Sequence, residues 1–180
     1  MKTNYKLHLS AGKDALRPVM QHILLTKKEF VATDAHIMSV VPNGYILDED
    51  SIALIPDEGL LIDAKVWKTI YNANRISLAI EDNKYFIQAM FTNKPFMVFE
   101  VFKDGQLYNF PKWEQVLPNE SASQEVLAIG LDSKLLYNLG QALDIPSFKL
   151  EFNGQNRPIM CKSLSDSDNA YGIIMPIKIY

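Results

Sequence analysis

Cysteine is almost missing from this sequence. Cys161 is the only one, which excludes an intramolecular disulfide, a CxxC metal knuckle and a dithiol redox pair, and makes a reducing, cytoplasmic setting the expectation. Long hydrophobic runs are missing too. No stretch approaches the ~18 apolar residues of a membrane span, and Met1-Lys2-Thr3-Asn4-Tyr5-Lys6 leads into alternation, not into the apolar core of a secretion signal. No membrane partner is expected, and the Asn119-Glu120-Ser121 sequon carries no weight without a secretion route. An excess of basic charge is the third absence: 18 Lys and Arg against 21 Asp and Glu give a net charge of −3, so bulk charge by itself advertises no nucleic acid.

The motifs of common catalytic and metal sites are absent as well. Gly12-Lys13-Asp14 lacks the preceding Gly and the following Ser or Thr of a phosphate loop. His8, His22 and His36 show no HExxH spacing and read as structural histidines. Asp166-Ser167-Asp168-Asn169 starts like a calcium loop but lacks its Gly and terminal Glu, and reads as a turn. Asp48-Glu49-Asp50 and Asp57-Glu58 have no organised His or Lys beside them and read as solvated charge. Cys161 beside Met160 reads as a small buried apolar residue. The expectation is a protein with no catalytic residues, no metal and no cofactor.

What is present is core-forming material. Of 180 residues, 48% are apolar, among them nine Phe, eight Tyr and two Trp, and each large side chain contributes about 1.5 to 3 kcal/mol when fully enclosed. The pattern repeats internally between 60–103 and 129–180. Leu61-Ile62-Asp63-Ala64-Lys65 lines up with Gly130-Leu131-Asp132-Ser133-Lys134, each an apolar run ending in an Asp suited to capping a helix. Val66, Trp67, Ile70 and Ala73 then follow helical spacing, as do Leu135, Leu136, Leu139 and Leu143. The spacing predicts helices over 64–75 and 133–143.

Period-two segments come next. Ile76–Ile80, Tyr85–Phe91 and Phe96–Phe102 read as strands joined at Asp82-Asn83 and Asn93-Lys94. In the second copy Phe148–Phe152 and Pro158–Leu164 form a hairpin about Asn153-Gly154. Ile173, Met175, Ile177 and Ile179 present one apolar face of a last strand, which Pro176 places at an edge or bulge. Residues 1–59 are a degenerate copy: a strand at Tyr5–Leu9, too little chain for a full helix over Ser10–Arg17 before Pro18, a hairpin of Met20–Leu25 with Phe30–Val41, and an acidic loop with a short strand at Ile52–Ile55. The expected fold class is α+β, with repeated strand-helix-three-strand units and antiparallel sheets. Residues 1–118 would form a domain of two units and 119–180 a half-domain, with the boundary near 118–125.

Three stretches, in order, resemble the bacterial DNA sliding clamp, the processivity subunit of the replicative polymerase. Arg17–Leu25 followed by Ala32-Thr33-Asp34-Ala35-His36 resembles that family's hairpin and its ATDGHR-type signature. Phe110-Pro111-Lys112-Trp113-Glu114-Gln115-Val116-Leu117-Pro118 resembles its FPDYxxVLP linker. Met175-Pro176-Ile177-Lys178-Ile179 resembles its C-terminal MPMRL strand. In the hairpin signature two positions depart from the pattern: Ala35 stands where the family has Gly, and Ile37 where it has Arg.

The resemblance implies a DNA-clamp-like fold and a non-enzymatic processivity factor for DNA replication or repair, with helices facing duplex DNA and sheets outside. A negative total charge is compatible with this provided that Lys and Arg line the inner face; Lys65, Lys68, Arg75 and Lys134 are the candidates. It further implies that polymerases or repair proteins dock a short apolar peptide in a pocket formed by Thr33, Ala35, His36, Ile37, Met38, Pro118, Met175, Pro176, Ile177, Lys178 and Ile179. A half-domain without a mate exposes apolar surface, so self-association through 125–180 into a homo-oligomer is expected. The alternatives are an interaction module that keeps the pocket without encircling DNA, and a structural oligomer with no DNA role.

Overall fold

The computed structural model describes residues 4–118, 126, 128–165 and 169–179. Three short strands come first, β1 (His22–Leu25), β2 (Glu29–Thr33) and β3 (Ile37–Pro42). They are followed by the short helix α1 (Glu49–Ala53). The second unit runs β4 (Leu60–Asp63), α2 (Ala64–Ile70), β5 (Arg75–Glu81), β6 (Lys84–Met90) and β7 (Met97–Lys103). The third runs α3 (Ser133–Leu143), β8 (Phe148–Glu151), β9 (Ile159–Ser163) and β10 (Tyr171–Ile174). Among the described residues, the ten strands join one sheet in the order β5-β6-β7-β4-β1-β2-β3-β10-β9-β8, with every pairing between them antiparallel. The fold is of the expected α+β class, with antiparallel strands and helices in repeated units.

Both helix starts follow from their caps. Asp63 accepts from Lys65 N–H at 2.7 Å, and Asp132 accepts from Lys134 and Leu135 N–H at 2.8 and 3.2 Å, satisfying amides that have no partner inside the helix. α3 matches the expected 133–143. α2 does not reach 75: it ends at Ile70, because Asn74 is tied to the end of β6. Asn74 N–H donates to the Met90 carbonyl at 2.8 Å, and its side chain accepts from Thr92 N–H at 2.8 Å. Arg75 therefore opens β5 and is not a helix residue.

Two further segments differ from expectation. The stretch expected as a strand at Ile52–Ile55 is instead the end of α1 (Ile52 and Ala53) and the turn that follows it, and the start of α1 is fixed by Asp48 accepting from Ser51 N–H at 3.0 Å; the acidic run is a helix N-terminus as well as solvated charge. Tyr5–Leu9, expected as a strand, forms a 3-10 turn at Leu7–Leu9. In the second unit the first strand pairs with the last, β4 with β7. The equivalent position beside β3 is filled by β10, so no edge is left for Tyr5–Leu9.

That same pairing corrects the picture of a third unit without a mate. Tyr171, Gly172, Ile173 and Ile174 pair with Val40, Ser39, Met38 and Ile37, and α3 packs over β3, β10 and the Leu7–Leu9 turn. Leu139, Leu143, Ile159 and Cys161 share one core with Leu7, Ile37, Phe30 and Trp67. In effect α3 covers the part of the first unit where a full helix is missing. Ile173 is 2% exposed, whereas Met175, Ile177 and Ile179 are 37%, 52% and 51% exposed, so the expected single apolar face divides where β10 ends, after Ile174. The ladder ends before Pro176, which has no N–H to donate, and Ile177 makes only an isolated bridge with Gly130. The domain boundary expected near 118–125 lies, beyond Pro118, outside the described residues, as do the sequon and Asp166–Asp168.

Strand alternation sorts the core into two sides. Ile23, Leu25, Phe30, Ala32, Ile37 and Val41 meet the helices. Leu24, Val31, Met38, Val40 and Ile173 meet Phe110 and Trp113 of the linker. The contact of α3 with β10 is close enough to demand glycine: a Cβ on Gly172 would stand 2.6 Å from Leu139 Cδ1, and Leu139 is fully buried. Gly172→Ala is expected to lower stability by about 1 to 3 kcal/mol. Gly44→Ala, where a Cβ would meet nothing within 4 Å, should stay within about 0.5 kcal/mol. Urea unfolding of both variants checks this, and equal midpoints would contradict the docking.

Candidate functional site

The hairpin between β2 and β3 is stiffened by its own side chains. Asp34 Oδ1 accepts from the N–H groups of His36 and Ile37, both at 2.8 Å. Thr33 Oγ1 accepts from Ala35 N–H at 3.1 Å and donates to the Ile37 carbonyl at 2.8 Å. Ala35 sits at φ 76°, the left-handed region that glycine adopts without penalty, so the turn keeps the shape of a Gly-containing one at a cost of about 1 to 2 kcal/mol. Met175 N–H donates to the His36 carbonyl at 2.9 Å, which ties the chain after β10 to this hairpin.

Those elements enclose a groove on the linker side of the sheet, with a cavity of about 180 Å³. Thr33, Ala35, His36, Ile37, Met38 and Met175, all expected at a peptide pocket, line it together. Its buried parts include Met38, Ile173 and Trp113, at 3%, 2% and 6% exposure, while Val116 is 47% exposed at the rim. Pro118, Pro176, Ile177, Lys178 and Ile179 do not line the cavity. Ile37 contributes there through its place in the chain, because its side chain belongs to the core on the helix side; an Arg at this position would bury its charge. Met20, Pro111, Lys112, Trp113, Val116 and Ile173 also line the groove and were not expected at it. The signal for two of them was in the linker: Trp113 and Val116 lie three apart in a 3-10 turn spanning Trp113–Val116, which puts them on one side.

The helix side carries the basic residues. Lys65 and Lys68, exposed on α2, border a second cavity of about 330 Å³ together with His8, Lys13, Gln21 and Asp63. Arg75 is not there. Its guanidinium donates to Asp48 Oδ2 at 2.6 Å, and Asp48 is held down to about 2 by hydrogen bonds from Ser51 and then from Arg75. Lys134, exposed at the start of α3, does not line this cavity either. The structure therefore brings together Lys65 and Lys68, not all four expected residues.

The other titratable groups have structural surroundings. His22 Nδ1 lies 3.0 Å from the Pro18 carbonyl, and its ring packs on Tyr108 at 5.5 Å between centroids. Burial pushes the Cys161 thiol up to about 12, which leaves it unreactive at neutral pH. Among the described residues, no group of three or more His, Cys, Asp or Glu is placed to hold a metal ion.

No protein-family model matches the chain, and no curated protein sequence matches it. Solved structures do. The beta sliding clamp of Caulobacter crescentus superposes with a TM-score of 0.68 at 14% identity, covering 99% of this chain and 64% of the clamp. The sliding clamp of Bartonella birtlesii, solved bound to griselimycin, gives 0.62 at 13% identity, covering 97% of this chain and 63% of the other. The beta subunit of DNA polymerase III from Thermotoga maritima gives 0.62 at 13% identity, covering 98% and 63%. At such identities the likeness is one of fold. The chain spans less than two thirds of the length of each of these proteins.

His8 supplies a pH signature for the helix side. Burial first, then the charges of Lys68, Lys6 and Lys13, lower its pKa from 6.5 to about 4. The unfolded chain then takes up a proton near pH 6.5 while the folded chain resists until about pH 4. Stability is complete above 6.5 and falls as pH drops through that window. The slope is at most about 1.4 kcal/mol per pH unit, and less because the ring is only half-buried and solvent screens it. Urea midpoints between pH 7 and 4 should fall more steeply in the wild type than in His8→Phe; parallel curves would contradict the assignment. Asp48 acts in a lower window, its contribution lost as pH falls from 3.8 toward about 2.

Proposed function

We propose that this protein is a sliding-clamp-like, non-enzymatic accessory of DNA replication or repair that tethers partner proteins to duplex DNA. The observation that carries the reading is the groove: the hairpin, linker and C-terminal strand, each quoted above for its motif, meet around one apolar cavity within a clamp-like fold. Its occupant is a short apolar peptide of a polymerase or repair protein. Met38 and Met175 suit that role, since an unbranched, polarisable side chain adapts to several ligands. Lys65 and Lys68, on the opposite side of the sheet, meet the phosphate backbone. Residues 1–118 and 119–180 are the two functional parts, the first supplying the basic helix and most of the groove, the second closing the groove with Met175. Encirclement of DNA by a chain of this length needs further copies, for which β5 and β8 are the open edges of the sheet.

One observation favours a second reading, an interaction module that binds clamp-binding peptides without a ring. The groove is complete inside a single chain, so it needs no second copy to take a peptide.

Two measurements separate these readings. Titration of a fluorescent clamp-binding peptide should give saturable binding that weakens by about tenfold or more in Met175→Ala/Pro176→Ala, equivalent to about 1.4 kcal/mol; no binding to the wild type would remove both readings. Duplex DNA binding, followed by anisotropy at low salt, should weaken several-fold in Lys65→Glu/Lys68→Glu and show a reduced salt slope, while Arg75→Glu, already paired with Asp48, should change it less. Unchanged DNA binding in the double variant together with intact peptide binding leaves the second reading standing and contradicts the first.

A further inference from the structure

We infer that the cavity between the Leu7–Leu9 turn and α2 is an oxyanion site that takes a phosphate group, with His8, Lys13, Lys65 and Lys68 as its ligands. The inference deepens the DNA reading and rests on it only for the source of the phosphate.

The site exists because the first unit has no full helix. The chain turns at Leu7–Leu9 and loops back, with Gly12 N–H donating to the Met20 carbonyl at 2.7 Å. This brings His8 and Lys13 opposite Lys65 and Lys68 around about 330 Å³, at the small end of ligand pockets of about 300 to 1,000 Å³. Among the described residues, the ammonium groups of Lys13, Lys65 and Lys68 enter none of the ion pairs, whereas Lys27, Arg75, Lys84, Lys149 and Lys162 each have an acidic partner. Three like charges facing one cavity repel, and an anion between them relieves that repulsion. The one carboxylate on the wall, Asp63, is engaged at the helix start by Lys65 N–H.

His8 adds direction to the charge. Its ring packs against Tyr71 at 5.5 Å between centroids, and its Nδ1 is enclosed with no hydrogen-bond partner. Its burial, and then the charges of the lysines around it, keep the ring neutral at pH 7. A neutral ring has one N–H, and with Nδ1 enclosed the edge that the cavity can reach is that of Nε2. His8 then donates a single hydrogen bond to the oxyanion while the lysines supply the charge.

The three histidines provide the test. In ¹H–¹³C spectra of the full chain, inorganic phosphate should move the His8 ring signal saturably and leave His22 and His36 in place. In Lys13→Gln/Lys68→Gln the midpoint should rise by about tenfold, with the unmoved His22 and His36 signals reporting an intact fold. A His8 signal that phosphate does not move, or moves equally in the double variant, overturns the site. A short duplex DNA is the second arm. Movement of His8 by both ligands supports the site and assigns the phosphate to the DNA backbone. Movement by phosphate alone supports the site and contradicts the assignment of its phosphate to the DNA backbone. Duplex binding seen by anisotropy while neither ligand moves the His8 signal overturns the site and leaves the DNA reading intact.

Discussion

The pairing of β3 with β10 is the constraint on which the other features depend. It joins residues separated by most of the chain length in a four-residue antiparallel ladder. By occupying that edge of β3, β10 displaces the segment Tyr5–Leu9 from the sheet and leaves it as a turn against α2 and α3. It also brings α3 over the first unit, where Leu139 lies against the backbone of Gly172 and fills space that a longer first helix would have occupied. On the other side of the same ladder, Ile173 and Met38 form the floor of the groove. The groove and the basic cavity are therefore both products of one interaction, which sets the third unit against the first.

The sheet separates the two sites by chemistry as well as by position. Because successive residues of a strand point to opposite sides, Ile37 serves the helix-side core while its neighbour Met38 serves the groove. The linker then covers the strand face with Phe110 and Trp113 and leaves the groove at their edge. The helix side keeps its ammonium groups near a half-buried neutral imidazole. A net charge of −3 is spread over the whole surface and does not describe either site. Arg75 shows the difference between a charge in the sequence and a charge at a site, since Asp48 holds it away from α2.

Much of the fold was legible in the sequence for local reasons. Asp63 and Asp132 announce their helices because a carboxylate before an apolar, helix-periodic run has one common use, and the hairpin turn at Asp82-Asn83 is the αL pair that such a turn needs, with φ 47° and 61°. What was not legible depends on distant partners. The alternation of Tyr5, Leu7 and Leu9 is that of a strand, and only the prior claim of β10 on β3 makes it a turn. Ile52–Ile55 has the apolar character of a strand, and the capping by Asp48 that makes Ile52 and Ala53 the end of a helix is, in the sequence, indistinguishable from solvated charge. At the groove, the hairpin and Met175 could be placed from their motifs, but Trp113 and Val116 came from the geometry of a short 3-10 turn. Ile177 and Ile179 continued an apolar pattern past Pro176 that the ladder itself does not continue.

The account stands on the third unit being part of the same folded body as the first. Native-state hydrogen exchange of the full chain tests this most directly, because amides exchange with the free energy of the opening that exposes them. The account predicts that the amides of β10 and α3 share the opening free energy of β1, β2 and β3. Exchange of β10 and α3 at a much lower free energy, with β1 and β2 still protected, would mean that the third unit opens on its own and would contradict it.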